Sequence, residues 1–391
     1  MTEATKKRKL GKRSRGQGSI TQWPWWMSLV ILGVASLLLF PAVREPWHTL
    51  YGFRWAYIFV LSGLIAFGLT PVVIRMARFL EVLDVPTSRK VHTEPTPLLG
   101  GMAIYTAFGV SILANSILDG QVVAILAAGT VLVVIGILDD VRDVPAGIKL
   151  LAQLLAVALV IRSGVILTLF PPSIAGSVAN GVLTMAWLLG ITNAMNFFDG
   201  MDGLATGLSI ITAGFLGLFA VLTFQPFLGW FAAAIVGSCL GFLPFNFHPR
   251  RPAAIFLGDG GSTFLGFVLA ALAVKGDWAA DKVIDIAVPV LIFWVFIFDM
   301  THITVARIIT GKIRSFREWI GYVGRDHLHH RLVALLGSRR KAVLLIFLLS
   351  ASMGLAGMAL RSARTLEAVF LILQAVIIVV IVSILEHAGN R

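Results

Sequence analysis

The chain has 391 residues, 58% hydrophobic and 13% charged, with a mean hydropathy of +0.89. A water-soluble domain carries about a quarter charged residues, so this composition excludes a soluble globular protein and marks a polytopic membrane protein. The formal charge of +12 gathers in the first fifteen residues and between Arg307 and Lys341; with no groove-reading module beside it, this excludes nucleic acid as a partner and fits loops facing anionic lipid.

In chain order, residues 1–23 read as a disordered cytoplasmic tail bearing Lys6, Lys7, Arg8, Lys9, Lys12, Arg13 and Arg15. It is too long and polar a prelude for a cleaved signal peptide. Residues 24–54 supply one N-terminal membrane helix and a loop, and 55–391 a single polytopic domain. About 20 apolar residues span a bilayer. Such runs predict helices at 24–43, 55–79, 99–118, 121–138, 149–169, 179–196, 206–223, 227–244, 255–274, 283–308, 342–360 and 366–386. The fold class is therefore all-α, a bundle of about 11–12 transmembrane helices. The lone Cys239 permits neither an intramolecular disulfide nor a cysteine-built zinc site.

With the basic tail inside, alternate connections return to the cytoplasm at 80–98, 139–148, 197–205, 245–254 and 309–341. These hold Arg89, Lys90, Arg142, Arg250 and Arg251, as the positive-inside rule requires. Every segment rich in Asp, Asn or His falls on the same side, which predicts one cytoplasm-facing site.

Five segments carry chemistry. Pro86–Gly101 is a Pro/Gly-punctuated loop with Arg89, Lys90 and His92. Asp139, Asp140 and Asp143 end the fourth span, with Asp139 and Asp143 spaced to share a helical face. Carboxylates at a membrane boundary call for a cation or a proton; Lys149 and Gln153 follow one turn apart, where a phosphate can be held. Asn193, Asn196, Asp199 and Asp202 repeat at three-residue spacing, with Gly200 and Gly203 between them. Such oxygen donors suit a hard cation shared with substrate phosphates. Asp259 and Ser262 lie in Gly-Asp-Gly-Gly-Ser before an apolar run, at a helix N-terminus suited to phosphate or to simple capping. Arg325, Asp326, His327, His329, His330 and Arg331 crowd the largest cytoplasmic loop and suit pyrophosphate recognition better than zinc. Asp299 and His302 lie inside the tenth span one turn apart, where a mutual pair is the simplest reading. No Walker A or dinucleotide fingerprint is present.

Taken in order, R-K-V-H…P-x-P…G-G, D-D-x-x-D, N-x-x-D-G-x-D-G-L, L-G-D-x-G-S and H-x-H-H-R-L resemble the polyprenyl-phosphate N-acetylhexosamine-1-phosphate transferase superfamily (glycosyltransferase family 4) from Pro86 to Leu332. The resemblance implies transfer of a sugar-1-phosphate from a UDP-sugar to undecaprenyl phosphate, with release of UMP. It implies Asp199 and Asp259 as ligands of Mg²⁺, or Mn²⁺, with Asn196 close to the metal, and Asp139, Asp140, Asp199 and His329 as catalytic groups. Lys149, Asn193, Asp202, His327, His330, Arg331, Arg89 and Lys90 become substrate-binding residues. The H-x-H-H form is similar to enzymes that begin O-antigen, common-antigen or teichoic-acid synthesis with UDP-GlcNAc. The peptidoglycan branch, which takes UDP-MurNAc-pentapeptide, usually has three consecutive histidines. A bacterial plasma membrane, contact with anionic lipids and a homodimer follow as expectations. The reading from another class is a transporter or lipid flippase, whose polar groups belong at mid-membrane on broken helices.

Overall fold

The computed structural model describes residues 24–49, 52–86, 94–248, 250–315, 318, 324, 326–363 and 365–388. The predicted tail at 1–23 and the residues Arg89, Lys90, His92 and Arg325 lie outside them.

Helices dominate: α1 (Trp25–Leu38), α2 (Pro41–Thr49), α3 (Arg54–Phe79), α4 (Gly100–Ala114), α5 (Gly120–Arg142), α6 (Ala146–Arg162), α7 (Ile174–Phe198) and α8 (Leu204–Leu222). They continue as α9 (Pro226–Asn246), α10 (Gly258–Lys275), α11 (Lys282–Ile292), α12 (Trp294–Ile309), α13 (Leu328–Leu336), α14 (Arg339–Leu360) and α15 (Thr365–Ala388). One short antiparallel ladder pairs β1 (Leu83–Asp84) with β2 (Thr96–Pro97). Each predicted apolar run falls on helix, and backbone bonds closed within the segment are what an apolar surround demands.

Two of the runs are broken. Pro41 opens α2 and disfavours helical geometry at Phe40, so α1 and α2 meet at 61°. The predicted span 283–308 divides at Phe293, where α11 and α12 meet at 78°. Pro289 withholds one ladder donor in the preceding turn, and Phe293, with ψ near 11°, packs its ring 5.3 Å from that of Trp187. Eleven to twelve spans were expected, and length and composition alone recover part of that count. Six helices among the described residues pass, or eight if each bent pair is one span. Two of the remaining predicted runs fall short on length, α4 with 15 residues and α6 with 17.

Helix α10 is the hub. It is apolar all round after its first turn and buried along nearly its whole length, as such a helix must be. Its neighbours are α4, α5, α7 and α8. At its N-terminus the packing is backbone on backbone. A methyl group on Gly101 would overlap Gly261 Cα, and one on Gly136 would overlap Gly260 Cα. The incoming segment is tied by its backbone, with Phe256 N–H donating to Pro97 O at 2.9 Å and Gly101 N–H to Leu257 O at 2.8 Å.

Candidate active site

The C-termini of α5 and α7 and the N-termini of α6 and α10 meet at one end of the bundle, and they bring the acidic motifs together. Asp139, in the last turn of α5, accepts from Lys149 Nζ at 2.6 Å and from Val144 N–H at 2.6 Å. The same ammonium reaches Asp259 Oδ2 at 3.3 Å. Asp259 Oδ1 accepts from Asn196 Nδ2 at 3.1 Å, and Asn196 also donates to Ser262 Oγ at 2.9 Å. Asp140 Oδ1 accepts the Asp259 backbone N–H at 3.0 Å, placing negative charge against the positive end of α10. Gly258 has φ +77°, and a side chain there would overlap the Asp140 carboxylate. Glycine thus lets the carboxylate approach the chain.

Asp199 follows the last residue of α7. Burial, then the charges of Asp259 and Asp140, pushes its carboxyl well above the ordinary range, against a hydrogen bond from the Gly258 backbone. Asp140 Oδ2 is buried and accepts no hydrogen bond. Four carboxylates (Asp139, Asp140, Asp199 and Asp259) thus gather around one lysine. No three His, Cys, Asp or Glu side chains among the described residues stand where they could hold a metal ion by themselves. A two-carboxylate seat completed by water and substrate phosphates is nonetheless the ordinary form for Mg²⁺, and these donors fit it.

The remaining residues of these motifs have fixed partners. Asn193 and Gln153 exchange amide hydrogen bonds at 2.9 and 3.3 Å, so Gln153 stands beside Asn193, not with Lys149 on a phosphate. Asp202 Oδ2 accepts Ala253 N–H at 3.0 Å and ties the 199–203 turn to the segment before α10. Asp143 does not share a face with Asp139. The helix ends at Arg142, and Asp143 is an exposed cap residue with φ +36°.

The histidine motif closes the other side. His329, in the first turn of α13, is 1% exposed and has no hydrogen-bond partner on either ring nitrogen. Its ring lies 5.6 Å from that of Phe198 and 4.2 Å from that of His330. A methyl group at Gly200 would come 3.2 Å from its Nε2, so the motif abuts the Asp199–Gly200 turn directly. Burial, with the charges of His330, His327 and Arg331, holds the His329 imidazole well below its ordinary pKa of 6.5, hence neutral at pH 7. His327 stacks on Phe197 at 4.7 Å.

The predicted Asp299–His302 pair does not form. Asp299 Oδ2 accepts from His327 Nδ1 at 2.7 Å and Oδ1 from Leu328 N–H at 2.6 Å, while His302 Nδ1 faces Arg331 Nη1 at 2.9 Å. Arg307 grips Asp326 bidentately at 2.6 and 2.8 Å. These contacts of α12 were not foreseen. The signal was present, since an ionisable group inside a span calls for a partner, but local spacing suggested the wrong one. Gly200 and Ser262 also enter the site through their contacts with His329 and Asn196.

The sequence model of glycosyl transferase family 4 matches residues 122–277, which include Asp139, Asp140, Asp199, Asp202 and Asp259. A probable undecaprenyl-phosphate N-acetylglucosaminyl 1-phosphate transferase of Bacillus subtilis (strain 168) is 33% identical over 336 residues, covering 84% of this chain and 91% of the relative. A decaprenyl-phosphate N-acetylglucosaminephosphotransferase of Mycobacterium leprae (strain TN) is 31% identical over 327 residues, 75% of this chain and 80% of the relative. A phospho-N-acetylmuramoyl-pentapeptide-transferase of Desulforudis audaxviator (strain MP104C) is 33% identical over 250 residues, but these cover only 55% of this chain and 74% of the relative. Sharing a third of its residues with a relative along most of both chains, and carrying its carboxylate cluster inside the matched segment, the chain belongs to glycosyl transferase family 4.

Proposed function

We propose that this membrane enzyme transfers a sugar-1-phosphate, GlcNAc-1-phosphate in the first instance, from a UDP-sugar to undecaprenyl phosphate. The observation that carries the reading is the meeting of Asp139, Asp140, Asp199 and Asp259 with Lys149 at one end of the bundle, faced by the buried, neutral His329. A charge-dense cluster at one end of the helix bundle suits one substrate from water and one from lipid, and it disfavours a mid-membrane transport site.

A phosphate monoester has a second pKa near 6 and is largely ionised at neutral pH, so the lipid needs orientation more than deprotonation. Its phosphate oxygen attacks the sugar-bearing phosphorus of the UDP-sugar; the bond to the other phosphate breaks, and UMP leaves. Asp139 and Asp140 orient the lipid phosphate. Lys149, His329 and Arg331 hold phosphate oxygens, with His327, His330, Asn193 and Asp202 shaping the site; Arg89 and Lys90, outside the described residues, add positive charge for the substrates. Asp199 and Asp259 would hold Mg²⁺, or Mn²⁺, steadied by Asn196. Such an ion neutralises a diphosphate as charge moves to the leaving group. Positive-inside bias supports a cytoplasmic orientation for this end; a bacterial plasma membrane, contact with anionic lipid and a homodimer are part of the same reading.

Relatives that include a phospho-N-acetylmuramoyl-pentapeptide-transferase keep that substrate, or another UDP-amino sugar, as the second reading. The test is UMP release by the purified protein from UDP-GlcNAc and undecaprenyl phosphate, with Mg²⁺ or EDTA. Lipid- and metal-dependent release is expected. Release from a different UDP-sugar moves the substrate, and release from none overturns the reading.

A further inference from the structure

Three residues on one face of α12 reach across to the histidine motif: Asp299 to His327 and Leu328, His302 to Arg331, and Arg307 to Asp326. Asp299 is the most confined of them, with no solvent exposure. A buried carboxylate is costly unless its oxygens are filled by donors. Here Oδ2 takes the imidazole, Oδ1 takes the Leu328 N–H, and Arg331 Nη2 stands 3.8 Å from Oδ1. A carboxylate only accepts, so His327 Nδ1 must carry a proton. The second bond fixes the backbone at the first residue of α13, one residue before His329.

We propose that Asp299 is a positioning residue for the transfer reaction. It selects the Nδ1–H form of His327, leaving Nε2 as the ring nitrogen free to meet a ligand, and it sets α13 so that His329 abuts the Asp199–Gly200 turn. The proposal rests on the transferase reading above, in which the histidine motif contacts phosphate. Asp299 itself touches no substrate.

Asp299→Asn separates this role from mere filling of space. The amide is the same size and still accepts from Leu328 N–H, but toward His327 Nδ1 it presents N–H. That favours the opposite tautomer, with the proton on Nε2. Mis-setting one imidazole by such a swap costs about 10⁴-fold in the serine-protease triad. In full-length protein we expect kcat for UMP release to fall at least about 100-fold, with KM for the UDP-sugar within about 3-fold and the melting temperature retained. Adding Asp299→Asn to a His327→Ala variant should cost less than about 3-fold more.

Two readouts are taken together. ¹⁵N NMR of histidine-labelled protein, with the His327 signals assigned by their loss in His327→Gln, should show Nδ1–H in the wild type and Nε2–H in Asp299→Asn. An unchanged tautomer, near wild-type kcat in Asp299→Asn, or full multiplicative losses in the double variant would each overturn the proposal. A wild-type protein that releases UMP from no UDP-sugar overturns the transferase reading instead, and the NMR comparison still decides whether Asp299 sets His327.

Discussion

Among the described residues, Lys149 is the one cation hydrogen-bonded to the carboxylate cluster, bridging Asp139 and Asp259 at 2.6 and 3.3 Å. Lys149→Met keeps the length of the side chain and removes the charge. We expect kcat for UMP release to drop about 100-fold, the scale of losing one donor to the transition state. Asp259→Asn should stop turnover while leaving the thermal melt in place, because Asn196 and Asp140 still find partners; Mg²⁺-dependent activity near wild type would count against its role as a metal ligand. His329 gives a pH test with a definite sign. Its folded pKa lies well below 6.5, so the unfolded chain binds the extra proton. Its contribution to stability is therefore full above about pH 6.5 and is lost as pH falls toward the folded value. Melting temperatures measured from pH 7 to 5 should fall less steeply in His329→Gln than in the wild type. At this scale the sequence was informative about which residue types gather, and silent about pairing. Lys149 and Gln153 sit one turn apart, yet one joins Asp139 and the other Asn193. Nothing in a linear spacing says which helix will stand opposite.

Among the elements, the N-terminus of α10 sets the precision of the site. Its contact with α4 and α5 leaves no room for a side chain at Gly101 or Gly136. Gly136→Ala should destabilise the protein by at least about 1–3 kcal/mol, the usual cost of overpacking, and lower the melting temperature along with activity. Gly200→Ala should behave differently. The added methyl meets the edge of His329 at 3.2 Å and the Phe197 carbonyl oxygen at an ordinary 3.7 Å, so the fold should hold while kcat falls about 10-fold; a parallel loss of thermal stability would show that the turn is structural instead. Helices were legible from apolar runs alone, α5 among them although its predicted run is one of the four shortest. The break at Phe293 was not legible, because Pro289 lies mid-run and a proline is compatible with either a continuous or a kinked membrane helix. That break is what turns α12 toward the histidine motif, and so the predicted Asp299–His302 pair failed with it.

Across the whole molecule, the two ends of the bundle do different work. At the C-terminus of α4, Arg44 Nη1 donates to Ala114 O at 2.7 Å, Arg54 Nη2 donates to Asn115 O, and the Arg54 guanidinium lies 4.0 Å from the Trp230 ring centroid. Two cations thus hold α2 and the start of α3 against the negative end of a helix. The acidic site lies near the opposite end of α4, about 20 Å away for a helix of this length. Arg44→Ala should therefore lower thermal stability by about 1 kcal/mol and leave UMP release unchanged. The gathering of polar motifs at one face was readable from chain parity and charge, since hydropathy fixes which loops share a side. How those loops interlock was not, because backbone-to-backbone packing such as Gly101 on Gly261 leaves only glycine as its trace.

That interlock also bears on inhibition. Drug resistance commonly begins with a side chain that changes shape without harming its owner. At Gly101, Gly136 and Gly258 even a methyl group meets backbone or the Asp140 carboxylate, so a variant that repels an inhibitor there would also displace Asp259. A compound drawing its affinity from the main chain at the head of α10 would leave the target few viable escape mutations.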